Sequence, residues 1–259
     1  ASGFWRFVLG SIYCGLGNSL GREGPTVHLS SAISSRLGRC IFKDEHRIQA
    51  ALPVGMAAGI AAAFNAPLSA ITFVFEELLD NFSMKALGGI VVAVVIAAAV
   101  SRSLLGEDAV LDSEFINREF ITSPWMVVGI PMGVTAGLLG HFFVSSVLTM
   151  RAQFKTKMAK MSWLTPAIGG LCCGVFGLLA LRITGHFGNA QNSIFSIGYH
   201  SLELAFKDQL VWQIVAVLLI CKFIAVVVNY ATGGSGGLFS PTLFLGGMLG
   251  GLVGMVLVS

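Results

Sequence analysis

The stretch Gly21-Arg22-Glu23-Gly24-Pro25-Thr26 decides the fold, because it places two ionisable side chains inside sequence that is typical of a membrane protein. The residues before it, 4–20, are mostly apolar or glycine, and residues 27–37 after it predict a short apolar helix. An ionisable residue inside such a run is costly in a bilayer, and in membrane proteins it usually has a function. Arg22 and Glu23 are therefore the first candidates for a functional site.

The proline of this stretch indicates where a helix begins. Pro25 suits the first turn of a helix, because its missing N–H would have no intrahelical partner there. The preceding backbone N–H groups would then point away from the helix, at the positive end of its dipole. Such a helix start binds anions, and the Glu23 carboxylate is placed to compete for that site.

The composition excludes several other classes of protein. Hydrophobic residues make up 55% of the 259, charged residues only 11%, and the mean hydropathy is +0.82. A soluble domain carries about a quarter charged residues. The net charge of +3 is too small and too scattered to indicate nucleic-acid binding. We expect no disulfide framework or zinc site from the five cysteines, which are odd in number and mostly lie in apolar runs. We also expect no other metal and no cofactor, because the histidines lack metal-ligand spacing and no phosphate-loop or metalloprotease signature is visible.

Apolar segments alternate with short polar loops along the chain, which predicts an all-α, multi-pass membrane protein. The predicted helices are near 4–19, 25–38, 49–64, 67–80, 86–104, 124–149, 163–182, 192–205, 210–230, 238–247 and 249–259. Several are shorter than the roughly 20 residues that a simple span requires, and Asn65-Ala66-Pro67 separates two of them. Broken helices are tolerated where their ends are buried in protein or line a cavity, which favours a transporter or channel.

Loop charges predict an orientation. Two loops are basic, and the positive-inside rule places both in the cytoplasm: Arg36, Arg39, Lys43 and Arg47 in one, and Arg151, Lys155, Lys157 and Lys160 in the other. The loop 102–120 is mainly acidic and is predicted to lie outside. Glu76 and Glu77 then end a helix near the cytoplasmic face, while Glu23 lies deeper.

A second glycine-rich segment precedes a late apolar helix. Gly237-Leu238-Phe239-Ser240-Pro241-Thr242 shares the pattern G-x-x-x-P-T with Gly21–Thr26. Two such helix starts in corresponding places indicate an internally duplicated transporter with both N-termini converging on one anion. The chain is therefore predicted to be one transmembrane domain, 1–259, with repeat halves of about 1–105 and 106–259.

Three motifs in register resemble the CLC family of chloride channels and chloride/proton antiporters. Gly21–Pro25 matches the anion-site motif of that family with its gating glutamate. Ala61-Ala62-Ala63-Phe64-Asn65-Ala66-Pro67-Leu68 resembles its mid-chain segment, and Gly236–Pro241 its later G-x-F-x-P motif. The resemblance implies a fold of broken and tilted helices in inverted repeats. Because the family's earlier Gly-Ser-Gly-x-Pro motif and late inner tyrosine have no counterpart, we expect a partial chain.

The resemblance also implies roles for individual residues. Glu23 would be the external gate, whose carboxylate mimics an anion and moves away when protonated or displaced. Gly21, Pro25, Gly236, Gly237 and Pro241 would shape the two helix starts. The anion would be held by the backbone N–H groups of Arg22, Glu23, Gly24, Leu238, Phe239 and Ser240.

The mechanism depends on Glu77, which matches the family's internal proton glutamate. We therefore expect chloride/proton antiport, with a passive voltage- or pH-gated chloride channel as the alternative, and a non-conducting dimerising piece as a third reading. No signature of an enzyme is present. The implied partners are chloride, protons, the lipid bilayer and a second copy of the chain, whose interface would involve residues near 67–104. A plasma or inner membrane is favoured.

Overall fold

The helices and their connections are taken from a computed structural model, which describes residues 2–78, 84–106, 125–161, 163–186, 193–207 and 209–258. The α-helices are α1 Ser2–Gly15, α2 Glu23–Ile41, α3 Glu45–Phe64, α4 Pro67–Phe73, α5 Met84–Leu105, α6 Trp125–Lys157, α7 Thr165–His186, α8 Tyr199–Phe206, α9 Trp212–Ala231 and α10 Phe239–Val258. A π-helical turn, Val74–Leu78, continues α4, and a 3-10 turn, Ala159–Met161, follows α6.

The predicted all-α membrane architecture is confirmed. Among the described residues, six helices are long and apolar enough to cross a bilayer: α3, α5, α6, α7, α9 and α10. The chain is therefore an integral, multi-pass membrane protein. The predicted division into repeat halves stays a prediction.

Several predicted boundaries differ from the structure, and three of them differ most. The segments 238–247 and 249–259 form one helix, α10, because glycine does not interrupt a membrane helix where a neighbour such as α8 packs closely. Helix α6 continues through most of the predicted basic loop to Lys157, where Lys155 and Lys157 suit the negative end of the helix dipole. The helix predicted over 192–205 begins only at Tyr199. The predicted helix end near 80 and the acidic residues of the loop 107–120 lie outside the described residues.

The predicted helix break at Asn65-Ala66-Pro67 is confirmed. Asn65 ends α3 in the left-handed conformation, with φ 53°, which asparagine tolerates better than most residues. Pro67 is the first residue of α4, where its missing N–H leaves no intrahelical bond unmade. The short α4 then passes into the π-helical turn that carries Glu76 and Glu77.

The described residues form two compact units. The first contains residues 2–11 and 23–106, in which α3 packs against α2 and α5. Its core consists of small and β-branched side chains on α3, α4, α5 and the π-helical turn: Ala57, Ala61, Ala70, Val74, Ile90 and Val94. Small residues at helix contacts let the backbones approach closely, which is how helices associate in lipid.

Helices α2 and α3 approach closely at Gly55. A Cβ atom at Gly55 would lie 2.5 Å from Ser34 Cβ and 2.6 Å from the Ser30 carbonyl oxygen. No side chain fits there without moving α2. The Ser34 hydroxyl donates to the Ala51 carbonyl oxygen at 2.6 Å and ties the same pair of helices together.

The second unit contains residues 12–22 and 125–258 and is built around α9. This helix packs against α6, α7 and α10. One of its faces joins an apolar cluster with residues from three other parts of the unit: Cys14, Leu20, Phe143, Val147, Val226, Val227 and Leu245. Residues 12–22 therefore belong structurally with the C-terminal half of the sequence, although α2 follows them directly.

The glycine contact in the first unit makes a testable prediction about stability. Gly55→Ala inserts a Cβ where backbone and side-chain atoms already lie, so we expect a loss of about 1–3 kcal/mol and a lower unfolding temperature. Gly88→Ala in α5 is the matched control, because nothing lies within 4 Å of a Cβ there. Thermal unfolding of the full-length protein in detergent measures both, and equal transition temperatures would contradict the close packing of α2 on α3.

Candidate functional site

The two predicted glycine motifs meet in the structure. Within the second unit, the Gly21 N–H donates to the Gly237 carbonyl oxygen at 2.8 Å, and the Gly237 N–H donates to the Gly21 carbonyl oxygen at 2.7 Å. These reciprocal bonds form an isolated antiparallel bridge between segments 216 positions apart. The sequence pattern that the two segments share therefore corresponds to a direct contact between their backbones.

A glycine beside the bridge allows the two backbones to come this close. A Cβ atom at Gly236 would lie 2.5 Å from Leu20 Cβ and 3.2 Å from the Gly21 carbonyl oxygen. Leu20 is fully buried and fills the space that a side chain at 236 would need. Only glycine therefore fits at position 236 while Leu20 and Gly21 pack this closely against it.

A helix begins two residues after each bridged glycine. Glu23 is the first residue of α2 and Phe239 the first residue of α10. Pro25 and Pro241 are each the third residue of their helix, within the first turn, as predicted. The N–H groups of a first turn have no acceptor within their own helix and carry the positive end of its dipole.

The predicted site residues differ in exposure. In the first unit Glu23 is buried, with 5% of its surface exposed, and Gly24 is exposed. In the second unit Ser240 is buried, whereas Arg22 is exposed and Phe239 retains 45% of its surface. The buried carboxylate of Glu23 is the unusual feature among these, because charged side chains are rarely buried.

Glu77 lies in the π-helical turn Val74–Leu78, in the first unit, beside Glu76. Both carboxylates are exposed. Turns of this type occur mostly as single insertions in α-helices and frequently at functional sites. The structure thus places the two glutamates on an irregular turn, and the proton-transfer role predicted for Glu77 stays a prediction.

Lys222 is a buried cation that is absent from the predicted site residues. It is fully buried in α9, and its Nζ donates to the carbonyl oxygens of Ile194 at 2.9 Å and Ser196 at 2.6 Å. The Nζ also lies 5.1 Å from the centre of the Phe244 ring in α10. The sequence signal was available, since Lys222 is the one charged residue in the apolar segment Trp212–Ala231.

A tyrosine that the sequence did not indicate contacts the start of α10. The hydroxyls of Tyr199 and Ser240 share a hydrogen bond of 2.6 Å. Tyr199 is the first residue of α8 and Ser240 the second residue of α10. No local pattern could have predicted this pair, because it depends on the packing of α8 against α10.

Comparison with known proteins identifies the family. The family model described as voltage gated chloride channel matches residues 2–259, essentially the whole chain. The chain belongs to this family. The resemblance of its three motifs to the CLC family is thereby confirmed.

Individual relatives agree with this assignment. The chain is 32% identical over 244 residues to a ClcB-like protein of Ralstonia nicotianae, a match that covers 92% of the chain and 53% of the relative. It is 29% identical over 262 residues to a protein of Salmonella agona named H(+)/Cl(-) exchange transporter ClcA, covering 96% of the chain and 51% of the relative. The chain thus spans about half the length of these relatives.

A solved structure supports the fold. The crystal structure described as a slow cyanobacterial Cl-/H+ antiporter superimposes with a TM-score of 0.74, at 24% sequence identity, over 90% of this chain and 52% of that one. The predicted CLC-type fold of broken membrane helices is confirmed by this match.

The bridge between the two motifs can be tested by amide hydrogen exchange on the full-length protein. The Cβ added by Gly236→Ala forces residue 236 away from Leu20. We expect the hydrogen exchange rates of the Gly21 and Gly237 amides to rise about tenfold, because overpacking costs about 1–3 kcal/mol. Gly246→Ala in α10 is the control, because nothing lies within 4 Å of a Cβ there. Unchanged protection in Gly236→Ala would contradict the close contact.

Proposed function

We propose that the full-length protein exchanges chloride for protons across the membrane. The observation that carries this proposal is the bridge between Gly21 and Gly237, with a helix beginning two residues after each glycine. Membership of the voltage-gated chloride channel family supports chloride as the transported ion. The name of the Salmonella agona relative supports exchange for protons.

The proposed chloride site uses backbone dipoles in place of charged side chains. Its ligands are the N–H groups of the six residues at the two helix starts: Arg22, Glu23, Gly24, Leu238, Phe239 and Ser240. Partial charges bind an anion strongly enough for entry and weakly enough for release, which transport requires. A full cation in direct contact would hold the ion more tightly. The Arg22 side chain is exposed, which fits a site in which Arg22 contributes its backbone N–H and not its guanidinium.

Glu23 is the proposed gate of this site. Its carboxylate is buried at the first residue of α2, where the helix dipole favours a negative group. A carboxylate and a chloride ion therefore compete for the same kind of environment. Protonation of Glu23 removes its charge, so that chloride can occupy the site in its place. Chloride binding is thereby coupled to proton binding.

Glu77 is the proposed proton acceptor on the inner side. It lies on the π-helical turn that continues α4, next to Glu76, and both side chains are exposed. A proton taken up at Glu77 would reach Glu23 while chloride moves the other way. Glu76 is the matched residue for a test, because it has the same chemistry and an adjacent position.

Reconstitution of the full-length protein in liposomes tests the mechanism. With a chloride gradient and an external pH probe, we expect chloride flow to drive protons uphill. Glu77→Ala should lower proton flux about a hundredfold while chloride flux persists, as loss of a positioned proton carrier predicts. Glu76→Ala should keep both fluxes.

The same experiment distinguishes the second candidate, a gated chloride channel, which the description of the family favours. Chloride flux without any proton movement in the wild-type protein would establish the channel. Glu77 would then be a structural carboxylate, and Glu77→Ala would leave the chloride flux unchanged.

We further propose a homodimer in a plasma or inner membrane, with the bilayer around it and no cofactor. Support comes from exposed apolar side chains on one stretch of the first unit: Leu68, Val92, Val95, Ile96 and Val100.

Tryptophan substitutions test the proposed interface. Val95→Trp adds bulk to an exposed position of α5, and we expect it to convert the dimer to a monomer, because overpacking a fitted contact costs about 1–3 kcal/mol per chain. Leu138→Trp in α6, an exposed apolar position outside 67–104, is the control. Light scattering of the purified full-length protein measures the mass, and an unchanged dimer would place the interface elsewhere.

A further inference from the structure

Lys222 is the starting point, because it is a fully buried cation inside an apolar membrane helix. Its two hydrogen-bond partners are neutral carbonyl oxygens and its third contact is the face of an aromatic ring. These contacts disperse the ammonium charge without cancelling it. A residue of this kind is retained in a membrane segment when it has a function.

The ammonium holds an unusual turn. The carbonyls that it binds belong to residues 194 and 196, and Ser196 adopts the left-handed conformation with φ 52°, as does Gly198 with φ 82°. Such a conformation is unfavourable for serine and persists only where surrounding contacts determine it. Lys222 supplies two of those contacts, and the Ser196 N–H supplies another by donating to the Gly17 carbonyl oxygen at 3.0 Å.

The turn leads directly to the start of α10. Gly198 precedes Tyr199, the first residue of α8, whose hydroxyl bonds the Ser240 hydroxyl. Lys222 also approaches α10 through the Phe244 ring. A continuous series of contacts within the second unit thus runs from the Lys222 ammonium, through the turn and Tyr199, to the first turn of α10.

We propose that Lys222 and Tyr199 act as one positioning unit for the anion-binding start of α10. Lys222 sets the turn 194–198, the turn sets Tyr199, and Tyr199 fixes Ser240, whose N–H is one of the proposed chloride ligands. This inference rests on the proposed function. It adds two residues that do not contact the ion but determine how well the helix start binds it.

A double-mutant cycle on the full-length protein tests this proposal. Chloride affinity is measured by calorimetry in detergent, and the KM and maximal rate of exchange in liposomes. Lys222→Met should raise the dissociation constant about tenfold, since it removes two charge-assisted hydrogen bonds. Tyr199→Phe should raise it about threefold, as expected for one neutral hydrogen bond. Both should raise KM with little change in the maximal rate.

The double variant is the decisive measurement. Because both residues act through Ser240, Lys222→Met with Tyr199→Phe should bind chloride within about twofold of Lys222→Met alone. Additive losses would show two independent roles and overturn the proposal. Unchanged affinity in the single variants, with or without lower thermal stability, would reduce Lys222 to a structural brace and overturn it as well.

Further variants keep the test decisive. Tyr230→Phe removes a hydroxyl from another tyrosine of the same unit, which packs against the apolar cluster and Arg151, and should not change affinity. If Lys222→Met does not fold, the cycle of Tyr199→Phe and Ser240→Ala replaces it, and additivity there contradicts the proposal. Absence of chloride binding in the wild-type protein would overturn the proposed function itself, whereas wild-type binding with unaffected variants would overturn only this inference.

Discussion

The structure depends on one constraint, which is that a backbone N–H or C=O group in a lipid bilayer needs a hydrogen-bond partner. Helices meet it internally, but a broken helix leaves polar groups at each end, and each unsatisfied group costs several kcal/mol. The bridge between Gly21 and Gly237 meets this constraint for the N–H and C=O groups of both glycines, each of which lies in a non-helical segment. It does so with only two bonds, and each segment then enters a new helix. At this bridge, backbone groups of one segment satisfy those of the other.

Glycine, buried leucine and lysine support this arrangement in different ways. Because Gly236 has no side chain, Leu20 can pack directly against it, and Leu20 fills the space that a side chain at 236 would occupy. Lys222 brings a charge into the apolar interior, which is costly. The charge binds the carbonyl groups of Ile194 and Ser196, which lie in a non-helical turn. The Lys222 ammonium and the two carbonyl groups therefore lower each other's cost of burial away from water.

Much of this could be predicted from the sequence, for identifiable physical reasons. Hydropathy and proline position are local properties, so they predicted the membrane class, the break at Asn65-Ala66-Pro67 and both helix starts at the glycine motifs. The repeated G-x-x-x-P-T pattern even indicated which segments belong together. Helix ends were less predictable, because the continuity of α10 depends on packing against α8 and the length of α6 on charges that a helix tolerates. The bond between Tyr199 and Ser240 is a tertiary contact with no local pattern.

The assignment of residues 12–22 to the second unit has a consequence for biosynthesis. Tyr13 bonds Asn229 at 2.7 Å, and Gly21 pairs with Gly237, each across 216 positions of the chain. At a synthesis rate of about 5–20 residues per second, the early partner waits roughly 10–40 s for the late one. The first unit can pack in the meantime, because its contacts lie within residues 2–11 and 23–106. The segment 12–22 is therefore synthesised early but gains these contacts only after the later helices have been made.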